Sequence, residues 1–195
     1  MFNVLITGVG GQGVITLAEI IATAALLSGE DAKMTEVHGL AQRGGSLQCS
    51  IKIGKNIKSP LVSNGEVDLL ISLEPLEALR VLNLLAPTAT VVFDTHKIIP
   101  ISVYSDKTTY PAVEEIEKTL RAITQNIFLT NGTDKVQELT GNVMALNIFM
   151  LGFAFYKKTL PTELTEEILL QSIKQTIGEK HFETNQKIFK AAALG

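Results

Sequence analysis

The sequence predicts an α/β fold with a mostly parallel sheet covered by helices on both faces. Three observations carry that expectation. Apolar runs of strand length alternate with stretches of helical periodicity; a glycine-rich turn joins the first run to the first helix; and 195 residues at 46% apolar and 19% charged composition can bury one large core. Together they read as a single Rossmann-like domain over residues 1–195, with any ligand expected beyond the carboxyl ends of the strands.

Residues 3–7 form the first apolar run and end in glycines. From 14 to 28, apolar residues recur at Val14, Leu17, Ala18, Ile21 and Ala25, which is helical spacing, and Gly29 closes that helix. Residues 32–37 form a second strand. Leu47, Cys49, Ile51 and Ile53 then alternate with polar neighbours, the pattern of a half-buried and antiparallel strand. Residues 67–72 are a buried-type strand, and after Pro75 the leucines at 76, 79, 82 and 85 predict a helix. Residues 90–94 are the next strand, and 98–104 extend as a further one. Val113, Ile116, Leu120 and Ile123 mark an amphipathic helix after Pro111, and 126–130 are strand-like. Asn131-Gly132 makes a turn, and 143–156 form a buried core helix whose Met144, Phe149, Met150, Phe153 and Phe155 belong to the core. Thr162 is the expected cap of a helix bearing Leu164, Ile168, Ile173 and Ile177, and 181–195 form the last helix.

Composition excludes several functions. Seventeen basic against 20 acidic residues leave a net charge of -3 with no polybasic run, so nucleic acid is a poor partner. The most apolar stretch, 143–156, is shorter than the roughly 20 residues that cross a bilayer, which argues against a membrane span. No basic leader opens the chain, so cytoplasm is the expected location. The lone Cys49 makes no intrachain disulfide and cannot supply the thiolates of an iron–sulfur cluster; alternation in its strand makes it an inert buried thiol. Glu114, Glu115 and Glu117 read as a solvated helix face.

Two motifs carry chemistry. In Gly8-Val9-Gly10-Gly11-Gln12-Gly13, glycines permit a tight turn and let backbone N–H groups approach a phosphate at the positive end of the following helix. The same glycines would equally serve close packing of helix on strand. No clear acid stands about 20 residues on to meet a ribose hydroxyl, Glu30, Asp31 and Glu36 being ambiguous, so nicotinamide or flavin binding is disfavoured. The second motif is Glu36-Val37-His38-Gly39-Leu40-Ala41-Gln42-Arg43-Gly44-Gly45-Ser46. Arg43 ahead of two glycines sets a planar cation on a loop, suited to a carboxylate or phosphate of a ligand or partner chain. The competing reading pairs Arg43 with Glu36 or a helix carboxylate and makes Gly44-Gly45 a bend before the next strand. His38 lacks companions at nucleophile or metal spacing, so no metal site and no catalytic residue are expected.

The pair GVGGQG and EVHGLAQRGGSLQ resembles the gamma-type domain of the 2-oxoacid:ferredoxin oxidoreductases, and its EVHGxAQRGG form is most similar to the beta subunits of the indolepyruvate branch. The resemblance continues through DLLISLEPLEA at 68–78, NVMALN at 142–147 and Asn185, and so covers nearly the whole chain. It implies a small subunit, not itself catalytic and inactive alone, in a hetero-oligomer. Thiamine diphosphate, magnesium and the iron–sulfur clusters would lie on a large partner subunit, and ferredoxin would be reached indirectly. The implied reaction is oxidative decarboxylation of an arylpyruvate with coenzyme A. Gly8, Gly10, Gly11, Gln12, Gly13, Arg43, Gly44 and Gly45 would then line a face that meets the partner and contacts the coenzyme A diphosphate. The alternatives are a stand-alone coenzyme A or nucleotide-binding module, and a gamma subunit serving another 2-oxoacid. A small NAD(P)-dependent reductase is disfavoured because Tyr104, Tyr110 and Tyr156 show no Tyr-x-x-x-Lys spacing.

Overall fold

The computed structural model describes residues 1–39, 45–100 and 109–195. Its six-stranded sheet runs in the order β2-β3-β1-β4-β5-β6. The strands are β1 (Phe2–Val9), β2 (Asp31–His38), β3 (Ser46–Gly54), β4 (Val67–Ser72), β5 (Leu85–Asp94) and β6 (Asn126–Thr130). Strands β1, β4, β5 and β6 pair parallel, while β3 is antiparallel to both β1 and β2. Among the described strands only β3 therefore runs against the others, as its alternation predicted.

The helices among the described residues are α1 (Val14–Leu27), α2 (Pro75–Leu79), α3 (Val113–Arg121), α4 (Gly132–Thr140), α5 (Leu146–Tyr156), α6 (Glu166–Ile177) and α7 (Phe182–Ala191). On β1, Val4 and Ile6 point into the larger apolar cluster, which α1, α4, α5, α6 and α7 complete, whereas Leu5 points into a smaller cluster shared with α2 and α3. The sheet is covered on both faces. Helix α5 is apolar all round and buried from Leu146 to Ala154, as a helix enclosed by neighbours must be. Gly152 lets α7 come close: a Cβ there would stand 2.3 Å from the Phe189 carbonyl oxygen.

Four local expectations are corrected. The leucines after Pro75 do not form one helix. Helix α2 ends at Leu79, Leu82–Leu84 form a 3₁₀ turn, and Leu85 opens β5 opposite Val67. Sheet pairing overrides the helical period here, and Ala78 and Val81 are buried more deeply than Leu76, Leu79 or Leu82. Thr162 is not a helix cap. Pro161 to Leu164 is a turn, closed by the Leu164 N–H on the Pro161 carbonyl at 3.0 Å, and Thr165 caps α6 by accepting from the Ile168 N–H. The core helix begins at Leu146 rather than 143, after a separate helix α4; Met144 is 83% exposed and outside the core. Residues 98–100 of the expected 98–104 strand have no regular structure, and the remainder lies outside the described residues.

Candidate functional site

The β1–α1 turn is closed by its own atoms. The Val9 N–H donates to Gln12 Oε1 at 2.8 Å, Gln12 Nε2 donates to the Leu73 carbonyl at 2.7 Å, and the Gln12 N–H donates to the Val9 carbonyl at 3.1 Å. Gln12 thus ties the turn to the segment after β4. A Cβ on Gly8 would meet Gln12 Oε1 and Val14 Cγ2 at 2.8 Å, and one on Gly13 would meet Asn147 Nδ2 at 2.5 Å, so these two glycines serve close packing. Gly13 also caps α1 in a left-handed conformation, φ 79°, and its carbonyl accepts from Asn147 Nδ2 at 3.2 Å. The GVGGQG and NVMALN segments are therefore in contact. Gly11, at φ 106°, has nothing within 4 Å of where a Cβ would stand: it faces open space.

That space is a cleft of about 300 Å³ beyond the carboxyl ends of β1, β5 and β6, near the lower bound of small-molecule sites. Gly11 and Gln12 form one wall, His96 and Ile98 a second, Thr133 and Asp134 a third, and Val143 and Met144 the rim. The rim is apolar and uncovered, Val143 being 47% exposed. His96 Nδ1 stands 3.9 Å from Asp134 Oδ1. Beneath them Asp94, at the end of β5, is fully buried and accepts from the Thr133 N–H at 3.2 Å and from the Thr133 hydroxyl. It anchors the positive end of α4, and burial raises its carboxyl above the ordinary range despite those bonds.

A second pair of acids sits at the end of β4. Glu74, 1% exposed, caps α2 by accepting from the Glu77 N–H at 3.1 Å; it also accepts from the Ile98 N–H at 3.2 Å and from the Tyr110 hydroxyl. Burial raises the Glu74 carboxyl, and burial together with the Glu74 bond raises the Tyr110 phenol. Glu77, 3% exposed, accepts from Arg80 Nε at 3.0 Å and from the Ser46 hydroxyl.

Of the residues singled out in the sequence, Gly8, Gly10, Gly11, Gln12, Gly13 and Gly45 come together, the Gly10 N–H donating to the Gly45 carbonyl at 3.0 Å. Arg43 and Gly44 lie outside the described residues, and so does the competing Arg43–Glu36 pair. Glu36 stands 3.0 Å from His38 Nε2. Glu114 and Glu115 face solvent, and Cys49 is buried, as expected. Sequence reasoning missed Glu74, Glu77, Asp94, Tyr110 and the cleft residues His96 and Asp134. Only Glu74 had a local signal, an acid directly before a proline that opens a helix.

A mostly parallel sheet with a glycine turn at its crevice places the chain in the Rossmann-like α/β class. Within that class the family is decided by comparison. The model of the pyruvate ferredoxin/flavodoxin oxidoreductase family matches residues 3–194, and the chain belongs to that family. It is 37% identical over 190 residues to the indolepyruvate oxidoreductase subunit IorB of Archaeoglobus fulgidus, covering 96% of this chain and 92% of the relative. The corresponding subunit of Pyrococcus horikoshii is 33% identical over 188 residues, with 96% and 92% covered. The fold matches the gamma subunit of a keto/oxoacid ferredoxin oxidoreductase from Geobacter sulfurreducens at a TM-score of 0.70 and 20% identity, over 100% of this chain and 97% of that one. It also matches 2-oxoglutarate:ferredoxin oxidoreductase from Magnetococcus marinus, solved with 2-oxoglutarate, coenzyme A and succinyl-CoA bound. There the TM-score is 0.70 at 16% identity, over 99% of this chain and 31% of that one. The family read from the two motifs is borne out. No helix among the described residues is long and apolar enough to cross a membrane.

Proposed function

We propose that this chain is the small subunit of an indolepyruvate-oxidising complex and contributes part of its coenzyme A site. The observation that carries the reading is the open glycine turn at the crevice: Gly11 borders the cleft with no side chain, and Gly45 is held against Gly10 beside it. A phosphate-bearing ligand can reach backbone there, and Arg43, two residues before Gly45 in sequence, would supply the cation. The resemblance to IorB subunits over nearly the whole of both chains supports the substrate, and a coenzyme A-bound structural neighbour supports the ligand.

In this reading thiamine diphosphate, magnesium and the iron–sulfur clusters belong to a large partner subunit. One thiol in the whole sequence fits that division, because a cluster needs several. Thiamine diphosphate, where it is bound, supplies the carbanion chemistry of decarboxylation. The residues of this chain orient coenzyme A and keep water from the crevice, and electrons leave through the partner to ferredoxin. The chain acts as one domain and is inactive alone, in the cytoplasm. The exposed Val143 and Met144 favour a second role for the same face, contact with the partner.

Viologen reduction by indolepyruvate, coenzyme A and thiamine diphosphate tests the reading on this chain, the large subunit and the reconstituted pair. Activity confined to the pair is expected. Equal activity in the large subunit alone would reject it. In the pair, Arg43→Ala should raise the KM for coenzyme A about tenfold; unchanged KM and assembly would remove the coenzyme A assignment.

A further inference from the structure

Three loops meet at Ser46. Its carbonyl accepts from the Gly39 N–H at 2.9 Å, which joins the two described ends of the stretch that includes Arg43 in sequence. The carbonyl just before it, on Gly45, accepts from the Gly10 N–H at 3.0 Å, which attaches the glycine turn. Its hydroxyl donates to Glu77 Oε2, on the helix that follows β4. Ser46 is also the first residue of β3 and stands opposite Val9, the last of β1, so its position is set by the sheet as well.

The acceptor is an unusual one. A carboxylate taken from water carries a desolvation cost of several kcal/mol per ion unless it is well paired. Glu77 is 3% exposed, while its cationic neighbour Arg80 remains 47% exposed. An apolar residue would fill the same volume without that cost. The Glu77 backbone N–H is bonded in turn to Glu74 Oε2, whose other oxygen accepts from the Ile98 N–H and the Tyr110 hydroxyl. The backbone of Glu77 is thus pinned in the first turn of α2, and its carboxylate is bonded there by Arg80 Nε at 3.0 Å. A fixed charged acceptor makes a stronger and more directional bond than a neutral one.

From this convergence we infer that Ser46 and Glu77 are positioning residues: their hydrogen bond fixes the distance from α2 of the glycine turn and of the Gly39–Ser46 contact, and with it the geometry of the ligand crevice. The functional part rests on the coenzyme A reading above; the loop geometry does not. Neither side chain lines the cleft. Without the hydroxyl, Ser46 keeps its strand pairing, but the Gly45 and Gly39 contacts lose the lateral anchor that fixes their distance from α2.

The test uses Ser46→Ala, which deletes one buried-side oxygen, and Ser46→Thr, which keeps the hydroxyl on a strand-compatible residue. Amide exchange on the full chain is read at Gly10 and Gly39, and steady-state kinetics on the reconstituted complex. In Ser46→Ala, exchange at both amides should quicken about tenfold, and the KM for coenzyme A should rise by a similar factor. The KM for the 2-oxoacid and kcat at saturating coenzyme A should stay within about twofold, and Ser46→Thr should restore both altered readings. Glu77→Gln, which keeps an acceptor oxygen but no charge, should fall between the two. Unchanged exchange in folded Ser46→Ala overturns the inference. So does a KM for coenzyme A that moves in Arg43→Ala but not in Ser46→Ala. Should exchange quicken while neither variant moves that KM, the clasp stands and the coenzyme A reading falls.

Discussion

The sheet face under α1, α4, α5, α6 and α7 is sealed almost wholly by aliphatic and aromatic side chains, with Phe149, Phe153 and Phe189 at its centre. Among the described helices, only α2 and α3 lie over the smaller cluster of the opposite face, and at its carboxyl edge two buried glutamates hold loops rather than core. The difference separates two tasks. Packing on the first face supplies stability and tolerates no gap, because α5 and α7 touch through Gly152 with no room for a methyl group. Polar bonds on the second fix where the crevice loops sit. A subunit that must present a precise edge to other molecules can keep that edge independent of its core only if the two are built from different interactions.

Cavity formation should expose this division most strongly. Phe149→Ala is expected to lower unfolding free energy by about 3–5 kcal/mol in urea titration, because the enclosed site cannot collapse. Leu120→Ala, on thinly covered α3, should lose only about 2 kcal/mol, the low end for a buried leucine. Equal losses would show that both faces are load-sharing and break the comparison.

The pH dependence gives a smaller effect that belongs to the polar edge. Burial holds Glu74 and Asp94 above the ordinary carboxylate range, so as pH falls the native chain takes up these protons before the unfolded chain does. Their contribution to stability must then grow from neutral pH down through the raised values, and level off once the unfolded chain is protonated too. Glu74→Gln should flatten that slope above the ordinary carboxylate range in thermal melts, whereas Leu120→Ala should shift the whole curve without changing its slope. The smallest change belongs to the outer surface of α3. Arg121 Nε donates to Glu117 Oε1 at 2.9 Å one turn away in water, so Arg121→Ala should lose about 0.3–0.5 kcal/mol, falling further in high salt.

Legibility in the sequence follows the same line. The glycine turn, α1 and the reversed β3 could be read because their cues are local: glycines at the turn and strict alternation at Leu47, Cys49, Ile51 and Ile53. The segment after Pro75 could not, since leucines every third residue mimic a helix and only pairing with Val67 reveals that Leu85 begins a strand. At the site, Gly11 and Gln12 were visible as motif, but Asp94 and Glu77 were not. Their partners Thr133 and Ser46 lie 39 and 31 residues away, and a buried acid is written in the same letter as a solvated one. Met144 has the apolar side chain of a core residue, yet its position just ahead of α5 leaves it at the rim.

The one cysteine of the sequence lies in the middle of β3, fully buried, and burial, with the charges of Glu36 and Glu19 behind it, pushes its thiol up to about 12. At neutral pH it offers almost no thiolate to an electrophile. The native protein is therefore already a blank background for site-directed labelling. Met144→Cys at the cleft rim would be the thiol that a maleimide dye or nitroxide finds, and its signal would report directly on whether a partner chain covers the crevice.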